Sequence, residues 1–227
     1  MPAPTIEEML EQTANGEKRL FKAPIRGAEE DRFYRAAFSD EYRDPVRWDY
    51  ELDYDKIPLI GTRHYPDGSL DMLPEPEMTA KTTGARIPDF LYASSFHMFL
   101  ISKKLKAVFD ELDPGSLQCR PVTIHAKDGP IEFYLVKPKR NISAIDTERT
   151  DIEIRSEHVG KWIKYISFPE YVVFDKELLA DIHNFSDIDM PGWFWSQELI
   201  DAAQAAGVKG VRLKLAGGAV MQNYAWL

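Results

Sequence analysis

Two stretches of this chain obey one local rule, and that repetition constrains the fold more than any other feature. Phe99-Leu100-Ile101-Ser102-Lys103-Lys104-Leu105 and Trp193-Phe194-Trp195-Ser196-Gln197-Glu198-Leu199 each run apolar triplet, serine, polar pair, leucine. Each serine is placed to cap a helix, its hydroxyl accepting from an orphan backbone N–H of the first turn. Leu105, Val108, Phe109 and Leu112 then fall at helical spacing until Asp113-Pro114-Gly115 stops the helix. After the second serine a helix runs through Ala203, Gly207 takes the C′ position, and Val211-Arg212-Leu213-Lys214-Leu215 alternates like a half-buried strand. Two strand-helix-strand units predict a pseudo-duplicated α+β fold with a mixed or antiparallel sheet and a few short helices. They are too few and too far apart for a solenoid. On a strand, Trp193 and Trp195 share one face and Phe194 takes the other, so one face is buried deeply or meets a partner.

Between the units, Pro121-Val122-Thr123-Ile124-His125 and Ile131-Glu132-Phe133-Tyr134-Leu135-Val136 read as strands joined through Lys127-Asp128-Gly129-Pro130, with Gly129 supplying a positive φ. A charged exit follows, Ala144-Ile145-Asp146-Thr147-Glu148-Arg149-Thr150-Asp151. The order of a Ser-capped helix, Arg120-Pro121-Val122-x-Ile124, an Asp-Gly hairpin, Ala-Ile-Asp-x-Glu-Arg-Thr, a second Ser-capped helix and Gly207-x-x-Gly210-Val211 resembles the eleventh immunity-protein family of bacterial polymorphic toxin systems. The resemblance covers roughly residues 90–215. It implies a cytoplasmic antitoxin that binds and occludes a cognate secreted toxin encoded next door, with no catalytic residues. It also implies that Asp146, Glu148 and Arg149 help define the family by bracing the hairpin exit.

Ahead of residue 86, Thr5 and Glu8 form a capping-box pair for a helix over residues 5–15 that places Ile6, Met9 and Leu10 on one face. Leu20 to Ile25 is extended, and the charge and aromatic alternation from Asp31 to Tyr42 fits no template. Residues 43–76 carry Pro45, Pro58, Pro66, Pro74 and Pro76 and are expected as extended chain and turns, with a small hairpin at Asp67-Gly68. Trp48, Tyr50, Leu52, Tyr54, Ile57 and Leu59 supply enough apolar surface to argue against disorder there. We therefore expect residues 1–85 as an N-terminal extension or arm packed on a core domain of residues 86–227. Further on, Tyr171-Val172-Val173-Phe174 reads as a buried strand and Asp175 as the cap of another short helix.

Composition narrows the function classes. A hydrophobic fraction of 44% without an apolar run near the ~20 residues of a membrane span predicts no membrane segment. One cysteine, Cys119, makes no internal disulfide, and the N-terminus lacks a secretory pattern, which points to the cytoplasm. The net charge of −9, from 28 Lys+Arg and 37 Asp+Glu, disfavours nucleic acid and favours a basic partner such as a nuclease. The chain has no nucleophile elbow, phosphate loop or zinc-protease motif, and His64, His97, His125, His158 and His183 have no ligand spacing, so we expect no cofactor and no metal. Candidate partner-binding residues are Asp146, Glu148, Asp151, Trp162 and Trp193: an acidic surface with aromatic anchors. The alternatives are an enzyme that reverses toxin damage, built near His125, Asp128 and Asp146, or an oligomeric scaffold or secretion adaptor. Composition leaves monomer and homodimer equally open.

Overall fold

The computed structural model describes residues 3–24, 33–38, 46–49, 70, 77–92, 98–169, 172–190, 192–216 and 224–226. The hairpin expected at Asp67-Gly68 and the histidines His64 and His97 lie outside them. Three sheets carry the architecture. In the first, the strand order is β3 (Val46–Asp49), β4 (Glu77–Ala80), β7 (Leu117–Ala126), β8 (Gly129–Pro138), β6 (Phe99–Ser102), β5 (Phe90–Tyr92). In the second it is β15 (Tyr224–Trp226), β14 (Val211–Leu215), β2 (Tyr34–Phe38), β13 (Trp193–Trp195), β12 (Asn184–Asp187), β9 (Asn141–Ile142). The third contains β1 (Lys18–Phe21), β10 (Ile152–Val159) and β11 (Lys161–Ser167). With helices α1 (Ile6–Gln12), α2 (Lys103–Leu112) and α3 (Gln197–Ala205), and with parallel pairs among the described residues only at β4–β7 and β9–β12, this is an α+β fold of mixed and antiparallel sheets.

The repeated rule becomes a repeated structure. Ser102 and Ser196 adopt the same extended conformation, φ −69°, ψ 163° and φ −70°, ψ 164°, and each hydroxyl accepts from the N–H three residues on at 3.2 Å. Each serine N–H also donates 2.9 Å to a carbonyl at the head of the preceding strand, Asp89 for Ser102 and His183 for Ser196. The equivalence extends through the sheets. β6 and β7 are both antiparallel to β8, which lies between them, and β13 and β14 are both antiparallel to β2. Each helix therefore crosses over one inserted strand, a split strand-helix-strand unit. The two differ in where that inserted strand comes from: β8 follows its unit in a tight hairpin, whereas β2 precedes its unit by most of the chain.

The alternation of the triplets divides the cores. Phe99, Ile101, Trp193 and Trp195 point into one cluster that α2 and α3 complete with Leu105, Phe109, Leu199 and Ala203. Leu100 faces the opposite side of the first sheet, with Leu135 and Ile124. Phe194 faces the opposite side of the second, where Phe174 and Phe185 meet Ile6, Met9, Ile152 and Ile154 from α1 and the third sheet. Both faces of the Trp193–Trp195 strand are therefore covered by the chain itself, and Phe194 and both tryptophans are 0% exposed.

Several expectations hold in detail. The Thr5–Glu8 capping box forms, Gly129 takes φ +129° after the two-residue loop Lys127-Asp128, and Gly207 sits at φ +67° at the end of α3. Two differ. Val172, Val173 and Phe174 are buried but make only an isolated bridge, Ile145 to Phe174. Asp175 accepts from the N–H groups of Glu177 and Leu178, yet the segment closes as turns before β12. So short a run, with Leu179 its one buried side chain, offers too little burial to offset helix nucleation. No helix among the described residues is long and apolar enough to cross a membrane.

Candidate functional site

The charged exit after β9 is held against residues 173–175 by backbone pairing. Asp146 N–H donates to Val173 O at 2.9 Å and Asp175 N–H donates to Ala144 O at 2.7 Å, flanking the Ile145–Phe174 bridge. The buried Thr150 hydroxyl donates to Val173 O and accepts from Val173 N–H, which fastens the far end of the turn. Within it, Asp146 accepts from Arg149 Nε at 2.6 Å and from the Glu148 N–H at 2.9 Å. Its geometry is set before any partner arrives.

Beside this turn opens a cleft of about 350 Å³ whose apolar lining includes Phe33, Phe174, Leu179 and Ile182 and whose polar lining includes His183, Ser196 and Glu198. The Ser196 hydroxyl lies 3.0 Å from His183 Nδ1 and accepts the Leu199 N–H. Its oxygen caps α3, so the pair holds the helix start. The Glu198 carboxyl sits below the ordinary carboxylate range because its own backbone N–H and the Ser196 hydroxyl donate to it. Glu198 and Lys176 line the cleft, and exposed carboxylates flank it: Glu148 on the braced turn beside Arg149, Asp175, Glu177 and Asp181 on the segment that forms one wall, and Asp201 on α3. Glu148, Glu177 and Asp181 make no ion pair among the described residues. What this arrangement offers is a shaped acidic rim with an apolar floor, suited to receiving a basic, partly apolar protuberance.

The rim is anchored from below by Asp187, whose carboxylate accepts from the Ala144, Asp189 and Met190 N–H groups at 2.8, 2.8 and 3.0 Å. Burial pushes this carboxyl up to about 6 from 3.8, against those three donors and with Asp189 adding to the rise. A raised folded-state value means that the contribution is fully present below 3.8 and is lost as pH rises through about 6. Relative to Asp187→Asn, the unaltered chain should therefore gain about 2 kcal/mol of stability between pH 7.5 and pH 4.5. Parallel denaturant titrations check this, and a pH-independent difference would rule it out.

The sequence candidates divide. Asp146 and Glu148 lie together on the braced turn. Asp151 is bound into the third sheet, accepting from Lys22 Nζ at 2.6 Å and Ala23 N–H at 2.8 Å. Trp162 is on β11, 47% exposed, edge-on to His158 with ring centroids 5.2 Å apart. Trp193 is no surface anchor. It stacks on Phe109 at 5.1 Å, and its indole N–H donates to Asn184 Oδ1, because the neighbouring strands and both helices close over it. Of the residues proposed for an enzyme, Asp128 accepts from Gly84 N–H at the β7–β8 turn and Asp146 accepts from Arg149 on the turn after β9. Sequence reasoning missed Thr150 and Asp187, whose roles depend on long-range pairing, and it missed the carboxylates of residues 175–201. Their only sequence signal was acidity in a region read for helix capping.

A family model described as Immunity protein family (Imm11) matches residues 32–217. No curated protein matches the chain.

Proposed function

The chain belongs to the Imm11 immunity protein family, and from that premise we propose that it inactivates a cognate toxin by stoichiometric binding, with the acidic rim as the contact surface. Family membership carries an immunity role and, with it, the binding of a toxin. The observation that supports this particular surface is the cluster of exposed carboxylates around a preformed cleft, held by backbone pairing and by Thr150 and Asp187. A basic secreted effector such as a nuclease, encoded beside this chain and met in the bacterial cytoplasm, is the partner whose charge complements the rim. Like-charge relief and steering would then speed the encounter. Of the five contact residues expected from the sequence, Asp146 and Glu148 belong to this surface, and Glu177, Asp181 and Asp201 join them. Occlusion also accounts for cleft polar groups that are spent on capping rather than aimed at a reacting atom.

Co-expression with the product of the adjacent gene tests the reading. Growth should be rescued, the two proteins should co-purify, and rescue should saturate at equimolar antitoxin. Protection at strongly substoichiometric levels without a complex would overturn occlusion in favour of enzymatic reversal. Within a complex, the double variant Glu148→Lys/Glu177→Lys should slow association about tenfold at low salt and converge with the unaltered chain at high salt. Stopped-flow mixing at two ionic strengths measures it, and an unchanged rate would move the interface elsewhere.

A further inference from the structure

The third sheet stands apart from the site just described in both exposure and charge. Of the five large hydrophobic side chains exposed among the described residues, four lie on it: Leu20 at 44%, Val159 at 60%, Trp162 at 47% and Tyr165 at 46%. The register places Leu20, Val159, Ile163 and Tyr165 on its outer face, away from Ile152 and Ile154. β11 is an edge strand. It pairs with β10 on one side, and among the described residues no hydrogen bond satisfies its other side. A seven-residue edge with exposed aromatics is a template for another strand. Lys161–Ser167 contains two lysines and no carboxylate, which makes it a poor seat for a basic partner.

The order Lys161-Trp162-Ile163-Lys164-Tyr165 complements itself when reversed. Around a two-fold axis through Ile163, antiparallel pairing sets Ile163 opposite Ile163. Lys161 then faces Tyr165 and Trp162 faces Lys164, each twice. No lysine is set opposite another lysine, and Lys161 opposite Tyr165 makes a cross-strand cation–π pair at two symmetric places. Shifting the axis to Lys164 would oppose the two Lys164 side chains. Lys164 also donates to Leu10 O of its own α1, which holds its stem along the sheet. We propose that β11 pairs antiparallel with β11 of a second copy about Ile163, joining two third sheets into one six-stranded sheet and forming an isologous dimer. The contact is small, so the dimer is weak and concentration-dependent. The proposal is independent of the toxin-binding surface, and its failure leaves that reading untouched.

Sedimentation of the full chain between about 1 and 300 μM is the test, with circular dichroism confirming that each variant folds. A reversible dimer is expected. Tyr165→Lys, which opposes Lys161 with a second cation at two symmetric places, should weaken it about tenfold or more, and Lys161→Glu/Tyr165→Lys should restore it through oppositely charged pairs. A monomer throughout the range, a dimer indifferent to Tyr165→Lys, or loss without restoration would each overturn the proposal. Hydrogen exchange on the unaltered chain gives a reading that needs no variant. Amides of residues 161–165 should gain protection as concentration rises, and equal exchange at both ends of the range would also overturn it.

Discussion

Gly210→Ala is expected to lose about 3–5 kcal/mol of folding stability, lowering the thermal midpoint of a chain this size by roughly 6–15 °C. Two effects add. Gly210 has φ +87°, where a Cβ is strained, and a Cβ built there would lie 2.3 Å from the Pro88 Cβ. Pro88 is not free to retreat, because its neighbour Asp89 accepts from the Lys209 N–H at 2.8 Å and returns its own N–H to Lys209 O at 2.9 Å. Gly207, three residues earlier in the same motif, is the internal control. It has φ +67° but nothing within 4 Å of its would-be Cβ, so Gly207→Ala should cost only the left-handed penalty of about 1–2 kcal/mol. Equal losses in the two variants would show that close packing at Gly210 contributes nothing.

Asp113→Ala should cost a similar 3–5 kcal/mol, by removing the acceptor at the centre of a buried polar knot. Asp113 is the C-cap of α2 and only 4% exposed. Its oxygens accept from Arg140 at 2.7 and 2.8 Å, from the backbone N–H groups of His183 and Asn184 at 3.2 Å, and from Asn184 Nδ2 at 2.9 Å. Asn184 in turn donates to Ser116 and accepts the Trp193 indole N–H. One carboxylate therefore ties the end of α2 to the head of β12 in the second sheet. Its removal leaves the two buried Asn184 N–H donors, the part-buried His183 N–H and the one-third-exposed Arg140 guanidinium without their acceptor. Asp113→Asn, keeping one acceptor, should fall between. The double variant Asp113→Ala/Arg140→Ala should cost less than the sum of its singles, since each single leaves the other side chain unpaired. Strict additivity, or unchanged hydrogen exchange at His183 and Asn184, would contradict this account.

What the sequence made legible were features written in local chemistry. Thr5, Ser102 and Ser196 announce helix starts because a cap is chosen by the backbone within three residues of it. The Asp128-Gly129 turn and Gly207 follow from positive φ in the same way. The pairing of β2 with β13 and β14 was not legible. Its alternation of charge and aromatics fits no period, and its strand conformation is imposed by two neighbours far along the chain. The Asp175 segment failed for the opposite reason: a good cap was present but too little buried surface followed it. At the site, Asp146 and Glu148 stood out as acids next to a family-like motif, whereas Asp187 became visible only as the support beneath Ala144. Trp193 shows that tryptophan enrichment at interfaces cannot be separated from core demand until the strand's two neighbours are known.

The different origin of the inserted strands has a consequence for the birth of the chain on the ribosome. β8 emerges directly after β7 and completes the first unit while synthesis continues. β2 emerges early but waits for β13 and β14, which at ordinary translation rates follow it by about 10–30 s. During that interval its hydrogen-bonding groups are open on both sides, and Ala36 waits for the core it will enter. The first sheet is thus able to pair while synthesis continues, whereas the second sheet, and the core that α2 and α3 share, closes only once β13 and β14 have emerged.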